Sequence, residues 1–82
     1  MKIKTIFVLV LKQARKEKGI SQKQLAFDSN LDRSYISKLE TGVYQPSIST
    51  IFTISEVLDI KPSDLIKEVY LRYLKQRTEY EN

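Results

Sequence analysis

With 82 residues, this chain is one small domain, near the lower size at which a chain buries a core of its own. It has no cysteine, no histidine and only two glycines, far apart. That excludes a disulfide frame, a thiolate metal site, the commonest acid–base catalyst and a phosphate-cradling glycine loop, so no enzyme, metal or cofactor is expected. The net charge of +4 is uneven: residues 1–40 hold nine Lys/Arg against four Asp/Glu, residues 41–82 five against six. Either a polyanion binds the first half, or that half is simply a basic, soluble surface.

The opening MKIKTIFVLVL imitates a secretory signal, with lysines ahead of an apolar run. Lys12 ends that run with no small-residue cleavage site beyond it, and the run is far too short to span a bilayer. A cytoplasmic chain with no membrane partner is expected. From about Thr5 to Lys18 the spacing predicts a helix closed by Gly19, with Phe7, Leu11 and Ala14 facing inward. The IFVLV run alone suits a strand, but its register continues into LKQARKEKG and favours helix. Val8 and Val10 are surplus to a single stripe; they either widen it or meet another subunit.

From Ser21 to Pro46 the string SQKQLAFDSNLDRSYISKLETGVYQP reads as two short helices joined by a tight turn. Ser21 and Gln24 form a capping box, and Asn30 suits the left-handed residue that ends the first helix. Asp32 can cap the second by accepting from the amides of Ser34 or Tyr35. Gly42 ends it, and Pro46 blocks its extension. Helices this short are unstable alone in water. Leu25, Ala26, Leu31, Ile36 and Leu39 are therefore expected to pack them together.

The outward side of the second helix is left with Arg33, Ser34, Tyr35, Ser37 and Lys38, a short rod of donors suited to the DNA major groove. Arg33 and Ser34, in the first turn, lie nearest base edges, and Arg33 can grip O6 and N7 of a guanine. Tyr35 packs on a thymine methyl, donates to a backbone oxygen or fills the core. Ser37 reaches the flanking base or bonds within its own helix; Lys38 reaches that base or its phosphate. Phosphate contacts are expected from Ser21, Gln22 and Lys23, and from Thr41 and Tyr44 after the helix.

Ser47 caps a fourth helix with Ile48, Ile51, Ile54, Ser55 and Leu58 along one side; the Ser55 hydroxyl can bond to a carbonyl one turn earlier. Pro62 opens a fifth, running to about Thr78 with Leu65, Ile66, Val69, Tyr70, Tyr73 and Leu74 as its apolar residues. So much apolar surface on a terminal helix forms a sizeable patch. Val69, Tyr70, Tyr73 and Leu74, with Phe52 and Val57 of the fourth helix, are read as a dimer interface. The alternative folds this helix back over IFVLV within one chain.

The string from Ser21 to Pro46 resembles the Cro/repressor (XRE-type) helix-turn-helix domain in Ser21, Gln22, Leu25, Ala26, Leu31 and Ile36, and again in Ser37, Leu39, Glu40, Gly42 and Pro46. Arg33-Ser34-Tyr35-Ile36-Ser37, after Asn30-Leu31-Asp32, also looks like the controller proteins of restriction–modification systems. The resemblance implies an all-α, five-helix, lambda-repressor-like DNA-binding domain. It would fill residues 1–82, with a core over about 6–66 and an extended C-terminal helix over 67–79. Arg15 stands where the family has an arginine paired with the glutamate at Glu40, either as a partly buried pair or as a solvent-exposed one. Asp59 departs from the family's usual glycine, which puts that turn in doubt, and Ser55 from a common alanine.

The implied function is a sequence-specific transcriptional regulator that binds double-stranded DNA as a homodimer on a palindromic operator. A restriction–modification controller and a phage-type repressor both fit. Two other readings remain open: an antitoxin whose last helix binds a second protein partner, and a protein-interaction module that does not touch nucleic acid.

Overall fold

The computed structural model describes the backbone of residues 2–81 and the side chains of residues 2–77. Its helices are α1 (Ile3–Lys18), α2 (Gln22–Ser29), α3 (Arg33–Glu40), α4 (Ile48–Val57) and α5 (Pro62–Glu81), with no strand among the described residues. The expected all-α, five-helix arrangement is the observed one. In the interior, α1 lies against α3 and α5, α2 against α3 and α4, and α4 against α5.

The first helix buries Ile6, Phe7, Val10 and Leu11, with Ala14 packed at the edge. That stripe is wider than the one the sequence spacing predicts, because α1 has two neighbours to cover. Val10 therefore belongs to the core of its own chain. Leu25 and Ala26 of α2 meet Ile36 and Leu39 of α3 in the same core, and Leu31 packs against it from the turn.

Four of the helix ends use one device. A residue with positive φ follows the helix at Gly19, Asn30, Gly42 and Asp59. The next amide in each case donates back to the carbonyl five residues earlier: Ile20 to Arg15, Leu31 to Ala26, Val43 to Lys38 and Ile60 to Ser55. This is the six-to-one bond of a Schellman turn, which satisfies the helix's last carbonyls. Ile20, Leu31 and Ile60 then drop onto the core and pin the turn. Asp59 adopts φ of 57° and closes the turn without glycine, so the doubt raised by its departure from the family pattern is resolved.

Several local expectations are corrected. Gln24 does not reach back to accept from the Ser21 amide; its side chain is turned forward, and its Nε2 donates to Asp28 Oδ1 at 2.8 Å, a bond strengthened by the carboxylate's charge. Ser21 still accepts from the Gln24 amide at 3.0 Å. Asp32 makes no side-chain cap: its own carbonyl takes the amides of Tyr35 and Ile36, both at 3.1 Å. Ile48 is 75% exposed, since at the first position of α4 its side chain tilts back past the packed turns. Ser55 is fully buried, and its hydroxyl has no hydrogen-bond partner.

The last helix divides its apolar residues between two sides. Leu65 and Val69 are buried and Tyr73 packs against them, whereas Ile66, Tyr70, Leu71 and Leu74 stay exposed. Val69 is thus core, not dimer surface: α5 lies along α1 and needs that side chain to fill the seam. A polar seam runs beside it, in which Arg72 donates to Gln13 of α1 and pairs with Glu68, while Gln13 donates to Glu17.

Candidate nucleic-acid interface

Helix α3 is held from behind and open in front. Ile36 and Leu39 anchor it in the core, and Glu40, at its end, is buried with them. Arg33 and Ser34 are exposed in its first turn, Lys38 is exposed one turn on, and Ser37 is half-buried. Arg33, Ser34 and Lys38 therefore share a solvent-facing side on a short, well-braced rod.

Tyr35 sits differently. It is half-buried and packs against the core. Its ring lies 6.0 Å from that of Tyr44, tilted by 34°, and its hydroxyl is 3.4 Å from Thr50 Oγ1 of α4. Thr50 Oγ1 in turn is 3.1 Å from Ser47 Oγ, the cap that accepts the Thr50 amide. Tyr35 is thus a brace joining α3, the following loop and the start of α4. Of its three expected roles, packing is the one this geometry serves, because the apolar ring gains more from covering the core than from facing water. Thr50 had no sequence signal as a partner, since the contact joins residues distant in the chain.

The residues expected at phosphates fall on two rims. Ser21, Gln22 and Lys23 lie at the start of α2, with Ser21 and Lys23 exposed and Gln22 half-buried. Thr41 and Tyr44 follow α3; the Thr41 hydroxyl donates to the Ser37 carbonyl at 3.0 Å, which uses its only hydrogen. In this arrangement the Thr41 hydroxyl is turned back onto its own helix. Lys38 holds its ammonium 5.2 Å from the centre of the Tyr44 ring, a cation–π contact that steadies both at the edge of the exposed side.

Behind this surface, Arg15 and Glu40 form a two-point pair, with Nε to Oε2 at 2.7 Å and Nη2 to Oε1 at 3.0 Å. Arg15 Nη1 also donates to the Ile20 carbonyl at 2.9 Å. The carboxylate side chain is 0% exposed and the guanidinium 12%, so of the two alternatives this is the buried pair. Hydrogen bonding to Glu40 raises the Arg15 pKa above its ordinary value against the opposing effect of burial, and the guanidinium stays charged.

A family model described as helix-turn-helix matches residues 11–65. The chain belongs to the helix-turn-helix family. The α2–turn–α3 unit with its exposed Arg33 and Ser34 is the helix-turn-helix of that name. Over 58 residues the chain is 40% identical to the immunity repressor protein of Bacillus phage phi105, covering 71% of this chain and 40% of that one. Over 65 residues it is 38% identical to the control protein C.BamHI of Bacillus amyloliquefaciens, covering 78% of this chain and 80% of that one. Among solved structures, it is similar to the restriction-modification controller protein C.AhdI from Aeromonas hydrophila, with a TM-score of 0.73 and 40% identity. That superposition covers 76% of this chain and 94% of the other. This helix-turn-helix chain thus spans less than half the length of the phage repressor it matches, and most of the length of both controller proteins. No described helix is long and apolar enough to cross a membrane.

Proposed function

We propose that this chain is a sequence-specific, DNA-binding transcription regulator that works as a homodimer on a palindromic operator in the cytoplasm. The observation that carries the reading is α3, whose first turn offers Arg33 and Ser34 to solvent while Ile36, Leu39 and Glu40 fix its back. Such a rod can enter the major groove without spending free energy on ordering itself. Arg33 and Ser34 read base edges, with Ser37 and Lys38 at the flank. Lys23, Gln22, Ser21 and the Tyr44 hydroxyl position the backbone. The role is binding; no step of catalysis is assigned to any residue. The relatives named as a phage repressor and as controller proteins support both kinds of regulator.

One domain reads too few base pairs for high specificity, and a two-fold dimer with recognition helices roughly 34 Å apart doubles the site. Exposed apolar side chains supply a surface for it: Phe52 on α4 at 59% and Tyr70 on α5 at 56%, with Leu74 beyond. Val57 and Tyr73, half-buried at the core's edge, border that surface more than they form it. Ile48 and Ile66, also exposed, extend it. The same α5 residues suit an antitoxin that holds a different protein.

Selecting bound duplexes from a random DNA pool tests the function, and sedimentation equilibrium tests the assembly. A palindromic consensus and a dimer are expected. An unenriched pool, with no steep salt dependence of binding, would leave a protein-interaction module instead. A chain that stays monomeric at high concentration would point α5 toward a second protein.

A further inference from the structure

The side chain of Gln22, the first residue of α2, is drawn onto the buried ion pair. Its Nε2 lies 3.1 Å from Glu40 Oε1, the same oxygen that accepts from Arg15 Nη2 at 3.0 Å. An ionised carboxylate only accepts hydrogen bonds, so the nitrogen of the Gln22 amide, and not its oxygen, must face it. Glu40 thereby decides which way that amide is turned. One N–H is used, and the second remains. The terminal torsion of a glutamine is otherwise broad, so an unheld amide would have to be ordered when a ligand arrives.

Charge points the same way. A bare carboxylate beneath Gln22 would repel an anion. Arg15 cancels that charge in place, at 2.7 Å from the other carboxylate oxygen. An anion approaching the half-exposed Gln22 therefore meets a donor and no net negative charge.

We infer that Glu40, itself buried, is a positioning residue for DNA binding: it holds the Gln22 amide turned so that its second N–H meets a phosphodiester oxygen. The inference rests on the DNA-binding reading and deepens it. Arg15 and Glu40 then do more than join α1 to α3, since the pair also sets the donor geometry at the rim of the interface.

The test uses the full chain and a duplex selected from the random pool, at fixed salt and at a temperature where every variant is folded. Affinity is measured for the wild type, Gln22→Ala, Glu40→Gln and the double variant. Each single change is expected to weaken binding about tenfold, the scale of one hydrogen bond to a charged group. The double variant should bind no more weakly than Gln22→Ala, even though the drop in melting temperature from Glu40→Gln persists in both backgrounds. A Glu40 that served only the fold would leave the binding of the folded protein unchanged, and one that acted on binding independently of Gln22 would give additive losses. Additive losses, or a Glu40→Gln protein that binds as tightly as the wild type, overturn the positioning role alone. A wild type that binds no duplex overturns the DNA-binding reading and this inference with it. Should Glu40→Gln fail to fold, Glu40→Asp replaces it in the cycle. It keeps the charge that Arg15 cancels but draws the acceptor back from Gln22 by one methylene. The same non-additivity is expected, and additive losses would again overturn the positioning role.

Discussion

Nε of Arg15 lies 2.7 Å from Oε2 of Glu40, which ties the C-terminal part of α1 to the last turn of α3 across 25 residues of sequence. The carboxylate has no exposure to water, so its partner cannot be removed without stranding a charge in the interior. Arg15→Ala is expected to destabilise the fold by about 3–5 kcal/mol, as measured by chemical denaturation. A loss under about 1 kcal/mol, the value of an exposed pair, would contradict the burial seen here.

Arg33 is exposed at the start of α3, outside the core, so its removal should spare the fold. Arg33→Ala is expected to cost about 1–3 kcal/mol in binding and to relax preference at one base pair. Binding selections with the variant read this directly. A loss shared equally by all sequences would make Arg33 a phosphate contact.

Tyr35 contributes mainly through its ring. At 3.4 Å its hydroxyl contact with Thr50 is long, so Tyr35→Phe should cost under about 1 kcal/mol in thermal stability. Tyr35→Ala opens the space between α3, α4 and Tyr44, and is expected to cost about 3 kcal/mol or more. If Tyr35→Phe instead altered the selected operator while leaving stability untouched, the hydroxyl would be a reader and not a brace.

Ser55 offers the opposite sign. Its hydroxyl is buried with no partner, a state that costs about 1–3 kcal/mol in desolvation. Ser55→Ala is expected to raise the melting temperature by several degrees, since about 1 kcal/mol moves a domain of this size by ~4–8 °C. A lowered melting temperature would mean that the hydroxyl is hydrogen-bonded in solution.

The C-terminal helix shows where a one-dimensional pattern stops. Its apolar residues are plain in the sequence, but the periodicity does not say which of them α1 will cover. Val69 is taken by the core, while Tyr70 and Leu74 of the same helix stay in water. Val10 of α1 is surplus to a single stripe until the second neighbour of that helix supplies a reason for it.

By itself the sequence determined the five helices, the residues Gly19, Asn30 and Gly42 that end three of them, and the donors Arg33 and Ser34 on the open side of α3. Those features depend on neighbours three to six residues apart, whose geometry a helix fixes wherever it lies. Only the tertiary structure decided that Tyr35 turns inward to Thr50, that Val69 fills the α1–α5 seam and that Gln22 rests on Glu40. Each of these joins residues far apart in the chain, and the packing of whole helices, which no local spacing encodes, brings them within reach.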